Sequence, residues 1–173
     1  MTDPTIAFKG EYLHVTLIDS PYGVYEVITG PSLFGVTVMV VSGDEVLLVK
    51  QYRPPVGKSL WELPGGAADD LTELAFDAAR ELEEEANVTV DASQLILLAS
   101  THPMPSMVEC TVNNYFVRLP DDYDKSVVKH QESEIEEAAW FNINDIIEDA
   151  KSGGDTFTSV LSQVLLAKMH GLV

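Results

Sequence analysis

Between residues 71 and 86, Leu71, Leu74, Ala75, Ala78, Leu82 and Ala86 recur at helical spacing, which leaves the acidic residues on another face. Such a stripe has to be buried against a second layer, so an amphipathic helix over 71–86 is the fixed point for everything else. Asp70 followed by Glu73 predicts a capping-box-like start, and Asn87 predicts the end, because asparagine tolerates the left-handed backbone. Within this helix, residues 80–85 read Arg-Glu-Leu-Glu-Glu-Glu. Glu81 and Glu85 stand one turn apart with Glu84 beside them, and like charges at that spacing repel by roughly 0.2–0.5 kcal/mol per pair. A divalent cation that prefers hard oxygen ligands, magnesium, manganese or calcium, offsets such a cost. For an isolated Glu-rich helix, the competing reading is a solvated face.

Around the helix the chain alternates strands and turns. From Glu11 to Thr29 two strand-like stretches flank Asp19-Ser-Pro-Tyr-Gly23 and predict an N-terminal hairpin. Leu33 to Val41 and Val46 to Tyr52 are rich in β-branched residues and predict a second hairpin about Ser42-Gly43-Asp44. Arg53 to Ser59 holds two prolines and a glycine and reads as an irregular loop, followed by a short strand through Trp61 to Leu63 and a Gly-Gly turn at Gly65 and Gly66. Further strands are expected at Gln94–Ala99, Cys110–Leu119 and Ala138–Phe141, with helices near Asp145–Lys151 and Thr158–His170 and a stop at Gly171. No repeat or linker divides the chain, and mixed strands and helices in this order predict a sheet covered by helices.

Composition narrows the partners. With 10 basic against 28 acidic residues and a net charge of −18, adhesion to nucleic acid or an anionic membrane is disfavoured, and an anionic substrate needs local help from a metal or a placed arginine. Cys110 is the single cysteine, so no internal disulfide forms. No apolar run has signal-peptide or membrane-spanning length, which predicts a cytoplasmic protein. Neither Cys110 nor Ser106 or Ser133 has a base and an orienting acid nearby in the sequence, so attack by water is favoured over a covalent nucleophile. His14, His102, His130 and His170 show no ligand spacing.

Gly66, five residues, Thr72, seven residues, then Arg80-Glu81-Leu82-Glu83-Glu84-Glu85-Ala86-Asn87-Val88 resembles the Nudix box, G-x5-E-x7-R-E-U-x-E-E-x-G-U with U aliphatic. Two positions depart from it: Thr72 stands where the family has glutamate and Asn87 where it has glycine. Gln51-Tyr52-Arg53, and Pro103 beyond the box, are similar to the ADP-ribose pyrophosphatase branch. Pro103-Met-Pro-Ser-Met-Val-Glu109 resembles that branch's Pro-Ser-Pro-Gly loop and following glutamate, with Ser106 in place of the glycine.

The resemblance implies an α/β (α+β) Nudix fold over 1–173, a mixed sheet sandwiched between helices, with the box at 66–88 and an N-terminal hairpin at 1–30 that serves a homodimer. Leu13, Val15 and Leu17 are the apolar strand residues offered for that contact. It implies Mg2+ or Mn2+ held by Glu81, Glu85, Glu84 and the Gly65 carbonyl. Arg53, Tyr52, Glu62, Pro103 and Glu109 become candidate substrate contacts, Glu134 or Glu132 the general base, with Glu84 assisting. The implied reaction is hydrolysis of a nucleoside diphosphate linked to another moiety, with ADP-ribose giving AMP and ribose 5-phosphate as the leading substrate. The alternatives are another nucleotide sugar such as GDP-mannose, a dinucleotide, or a nucleotide-binding module weakened by Thr72.

Overall fold

The computed structural model describes residues 5–11, 13–30, 33–68, 72–130, 133–154 and 157–173. Asp70, Leu71 and Glu132 lie outside the described residues. A first, antiparallel sheet has the order β1-β2-β3, with β1 at Thr5–Lys9, β2 at His14–Ser20 and β3 at Gly23–Thr29. β2 and β3 form the predicted hairpin, paired from His14↔Thr29 to Ser20↔Gly23. β1 adds a strand absent from the sequence reading. Ile6 and Phe8 alternate there with Thr5, Ala7 and Lys9, too short a pattern to mark a strand without its partner.

The second sheet contains β4 (Phe34–Ser42), β5 (Glu45–Arg53), β6 (Lys58–Glu62), β7 (Gly65–Ala67), β8 (Ile96–Thr101), β9 (Thr111–Arg118) and β10 (Ile135–Asn142). Its order is β10-β5-β4-β9-β8, with β6 on β5 and β7 on β4. β4 and β9 run parallel while the other pairs are antiparallel, so the sheet is mixed. The predicted β4–β5 hairpin is real but brief: only Val41↔Val46 and Ser42↔Glu45 pair before the strands part. Chain from 58 to 67 enters the gap, β6 completing the edge of β5 and β7 that of β4. Residues 65 and 66 are therefore strand and not the expected Gly-Gly turn, because the backbone donors and acceptors that β4 exposes after the split have to find partners.

β4 is apolar on both faces, as a central strand between two layers must be. Val36, Val38 and Val40 point to one side, where α1 (Leu74–Ala86) packs Ala78, Leu82 and Ala86 against them. Met39 and Val41 point to the other side, against α2 (Ile143–Lys151) and α3 (Thr158–Met169) through Ile146, Val160 and Val164. The expected sandwich of a mixed sheet between helices is what forms. α1 starts at Leu74 and not at 71, with Glu73 as N-cap and no side-chain capping bond; the Glu73 carbonyl accepts the first helical bond, from the Asp77 amide at 3.2 Å, and the capping-box expectation falls on Asp70, outside the described residues. Asn87 ends it as predicted, at φ 56°. α2 starts before Asp145 because the Asn142 side chain accepts from the Asn144 amide at 2.9 Å and caps the helix there.

Candidate active site

The split between β4 and β5 opens a cleft of about 340 Å³ lined by Gln51, Arg53, Gly65, Arg80, Glu81, Glu85 and Glu134, together with Gly66 and Ala67. Four elements separated in sequence supply them: the end of β5, β7, α1 and the turn before β10. On α1, Glu81 and Glu85 sit on the same side as the core residues Ala78 and Leu82, at 9% and 4% exposure. That corrects the expectation of a separate acidic face, since of the box glutamates Glu83 alone is exposed. The reason is β7. Its two glycines run along the helix so closely that a Cβ on Gly66 would stand 2.6 Å from Oε2 of Glu81.

Each buried acid is held. The Gly65 amide donates to Oε2 of Glu85 at 2.7 Å, a charge-assisted bond that ties β7 to the helix. Arg80 spreads over three acids, reaching Glu84 at 2.8 Å, Glu81 at 3.0 Å and Asp77 at 3.3 Å. Burial disfavours the Arg80 charge, yet the field of Glu81 and the hydrogen bonds to Asp77 and Glu84 leave its pKa raised. Three carboxylates share the Arg80 guanidinium, with Glu85 close by on the same helix face, so negative charge is concentrated here where burial makes it costly. Among the described residues, no three His, Cys, Asp or Glu side chains stand grouped as a finished metal shell. Glu84, half-exposed and bound to Arg80, is drawn away from the cleft lining. Two buried carboxylates with hard oxygens facing a polar cleft nonetheless fit a divalent cation by charge and donor type.

Across the cleft, Arg53 lies against Glu62, with Nη2 to Oε2 at 2.5 Å and Nε 3.1 Å from the same oxygen. The Glu62 hydrogen bond is the largest influence on Arg53 and raises its pKa; burial opposes it, and the fields of Glu62, Glu85 and Glu134 raise it further. Glu134 receives a hydrogen bond from Nε2 of Gln51 at 3.3 Å. A second, larger cleft of about 590 Å³ adjoins the first through Arg53, Gly65 and Gly66 and continues past Glu62 and Pro103 to β9 and α3.

Arg53, Gly65, Glu81, Glu85 and Glu134 thus meet in one cleft, and Glu62 and Pro103 line its neighbour. Tyr52 and Glu109 line neither. Tyr52 alternates with Gln51 and Arg53 along β5 and therefore points to the opposite face. Glu109 is exposed beyond the 104–108 turn, where its amide donates to the Ile28 carbonyl at 2.9 Å. Residues absent from the sequence reading are Asp77, the buried acid beside Arg80, and Thr37, Thr101, Asn114, Ser162 and Gln163 in the larger cleft. The amide pair Asn113-Asn114 inside the apolar strand 111–118 is the signal that could have found part of this set.

Residues 32–161 match the profile described as NUDIX domain. The chain is 31% identical over 135 residues to a CMP-5'-(N-acetyl-N-hydroxy-3-aminopropyl)phosphonate hydrolase of Streptomyces rubellomurinus, covering 77% of this chain and 63% of the relative. It is 25% identical over 126 residues to an ADP-ribose pyrophosphatase of Bacillus subtilis, covering 72% of this chain and again 63% of the relative. The alignments therefore span under two thirds of these relatives' own length. A crystal structure of an ADP compounds hydrolase superposes with a TM-score of 0.68 at 18% identity, over 100% of this chain and 98% of that one, a likeness of fold. With three quarters of its length inside the profile and the box helix facing the cleft, the chain belongs to the Nudix family.

Proposed function

We propose that the chain hydrolyses a diphosphate joining a nucleoside to a second moiety, with ADP-ribose as leading substrate and AMP and ribose 5-phosphate as products. The observation that carries this reading is the convergence of the buried Glu81 and Glu85 with Arg53 and Glu134 on one cleft. Mg2+ or Mn2+ fits the acids of α1, with Glu81 and Glu85 as principal ligands, Glu84 assisting, and the Gly65 carbonyl adding a neutral oxygen. Such an ion supplies Lewis acidity that offsets diphosphate charge and makes water more acidic.

The chain's own residues do the rest. Arg53, preset by Glu62, presents donors to phosphate oxygens or a flat face to a base. Glu134, steadied by Gln51, takes a proton from the attacking water, whose oxygen bonds to one phosphorus as the bridging oxygen leaves with the other phosphate. Glu132 is the neighbouring alternative for that role.

The test is release of nucleoside monophosphate from a panel containing ADP-ribose, GDP-mannose, a dinucleotide and a nucleotidyl phosphonate, with and without Mg2+ or Mn2+. ADP-ribose is expected to be cleaved only with metal. Glu134→Gln should lower kcat by about 10²–10⁴-fold, the usual contribution of a general base. A loss under tenfold would move the base to Glu132. Binding without turnover under both metals would support the weakened module that Thr72 suggests.

The homodimer is proposed through the first sheet, whose exposed apolar side chains include Phe8 at 64% and Val24 at 62%. Leu13 is less exposed, at 47%, and Val15 and Leu17 are half-buried, so β1 and β3 supply more of the apolar surface than the hairpin residues first named. Sedimentation should give a dimer, and Phe8→Asp with Val24→Asp should give a monomer.

A further inference from the structure

The larger cleft differs in chemistry from the metal-facing one. Val36, Leu63, Pro103 and Val112 make it partly apolar, and its hydrogen-bonding groups are the neutral side chains of Thr37, Thr101, Asn114, Ser162 and Gln163. Among the described residues, the only charged side chains lining it are Arg53 and Glu62, which pair with each other. At about 590 Å³ it lies inside the range, roughly 300–1,000 Å³, of small-molecule sites.

At its back Asn114 is fully buried. Its Nδ2 faces the carbonyls of Ala99 at 3.1 Å and Val112 at 3.0 Å, which can only accept, so the amide orientation is fixed by its neighbours. Oδ1 then accepts from Thr37 Oγ1 at 3.1 Å and from Gln163 Nε2 at 2.8 Å. With its nitrogen committed to Asn114, Gln163 turns its carbonyl oxygen the other way, where Ser162 Oγ donates to it at 2.7 Å. Gln163 lines the cleft, so an amide whose orientation is set by the buried Asn114 stands in its wall.

We propose that Gln163, oriented by the buried Asn114, determines specificity for the non-phosphate end of the substrate, and that the cleft takes a neutral, hydroxyl-bearing sugar or nucleoside. Among the described residues Arg53, paired with Glu62, is the one cationic side chain lining it, so a second anion is disfavoured there, in a molecule of net charge −18 with Glu81 and Glu85 next door. This rests on the diphosphate reading above for the direction from which the ligand enters.

Gln163→Met keeps the side-chain volume and removes the amide. Gln163 is half-buried, and thermal unfolding of the variant checks that the fold is kept. Steady-state kinetics on ADP-ribose are compared with two truncated diphosphates, the methyl ester of ADP and the methyl ester of ribose 5-diphosphate. The expected result is a rise in KM for ADP-ribose of about ten- to a hundredfold, as for one lost polar contact to a bound group, with kcat changed less. The same penalty should vanish, to within twofold, for whichever truncated ester lacks the moiety the cleft holds. An equal penalty on all three substrates, or none on ADP-ribose, would overturn the assignment. If wild type cleaves nothing, the Kd values of the same three ligands are compared by calorimetry. The hydrolytic reading then fails, while an ADP-ribose affinity loss confined as above still supports Gln163, and its absence sinks it.

Discussion

Replacing Glu81 or Glu85 by glutamine should abolish most metal-dependent turnover while leaving the fold intact. Each carboxylate is buried against β7, and short contacts hold it, among them Glu81 to Arg80 at 3.0 Å and Glu85 to the Gly65 amide at 2.7 Å. Glutamine keeps the shape and one acceptor but removes the charge. Both carboxylates are buried close to each other, where charge is costlier than at a surface, so removing one should leave stability unchanged or raise it. Activity should fall by about 10²–10³-fold, the size of effect when one preorganised electrostatic group is lost. Paired chemical denaturation and kinetics separate the two quantities. Variants that unfold in step with their activity loss would make these acids structural.

The neighbouring glycines should fail in different ways. A Cβ on Gly65 would lie 2.1 Å from the Val36 carbonyl oxygen and 2.8 Å from the Thr37 Cα, and its φ of 157° is disfavoured for any side chain. Both contacts are to backbone, so β7 would have to leave β4. Gly65→Ala is expected to destabilise by about 3 kcal/mol or more, at the upper end of single substitutions. At Gly66 the clash is with the carboxylate end of Glu81, which can swing aside. Gly66→Ala should therefore remain folded and lose activity, because the displaced group is the candidate ligand. Urea unfolding of both variants checks the contrast, and a Gly65→Ala protein within 1 kcal/mol of wild type would show that β7 is not pinned.

These contrasts also show what could be read from the chain. The helix stripe at Leu74, Ala78, Leu82 and Ala86 and the runs of β4, β5 and β9 carry period information within each segment, and they were legible for that reason. β7 was not, because two glycines and an alanine have no pattern of their own and become a strand only when β4 and β5 part beside them. The same holds for chemistry. Glu81 and Glu85 declare themselves by spacing, whereas Asp77 becomes part of the cluster only through the reach of Arg80. Gln163 and Asn114 meet across 49 positions, a distance over which sequence alone offers no register. Tyr52 stands beside Arg53 in its motif, and strand alternation places it on the opposite face of β5.

The central claim is that the acids of one helix hold a hard cation that in turn holds a diphosphate. Calorimetric titration of Mg2+ and Mn2+ into the protein with an α,β-methylene analogue of ADP-ribose tests it without turnover. Metal should bind saturably, more tightly with the analogue, and binding should disappear in Glu81→Gln and Glu85→Gln. Heat indistinguishable from buffer in wild type, or binding that survives both substitutions, would contradict that claim.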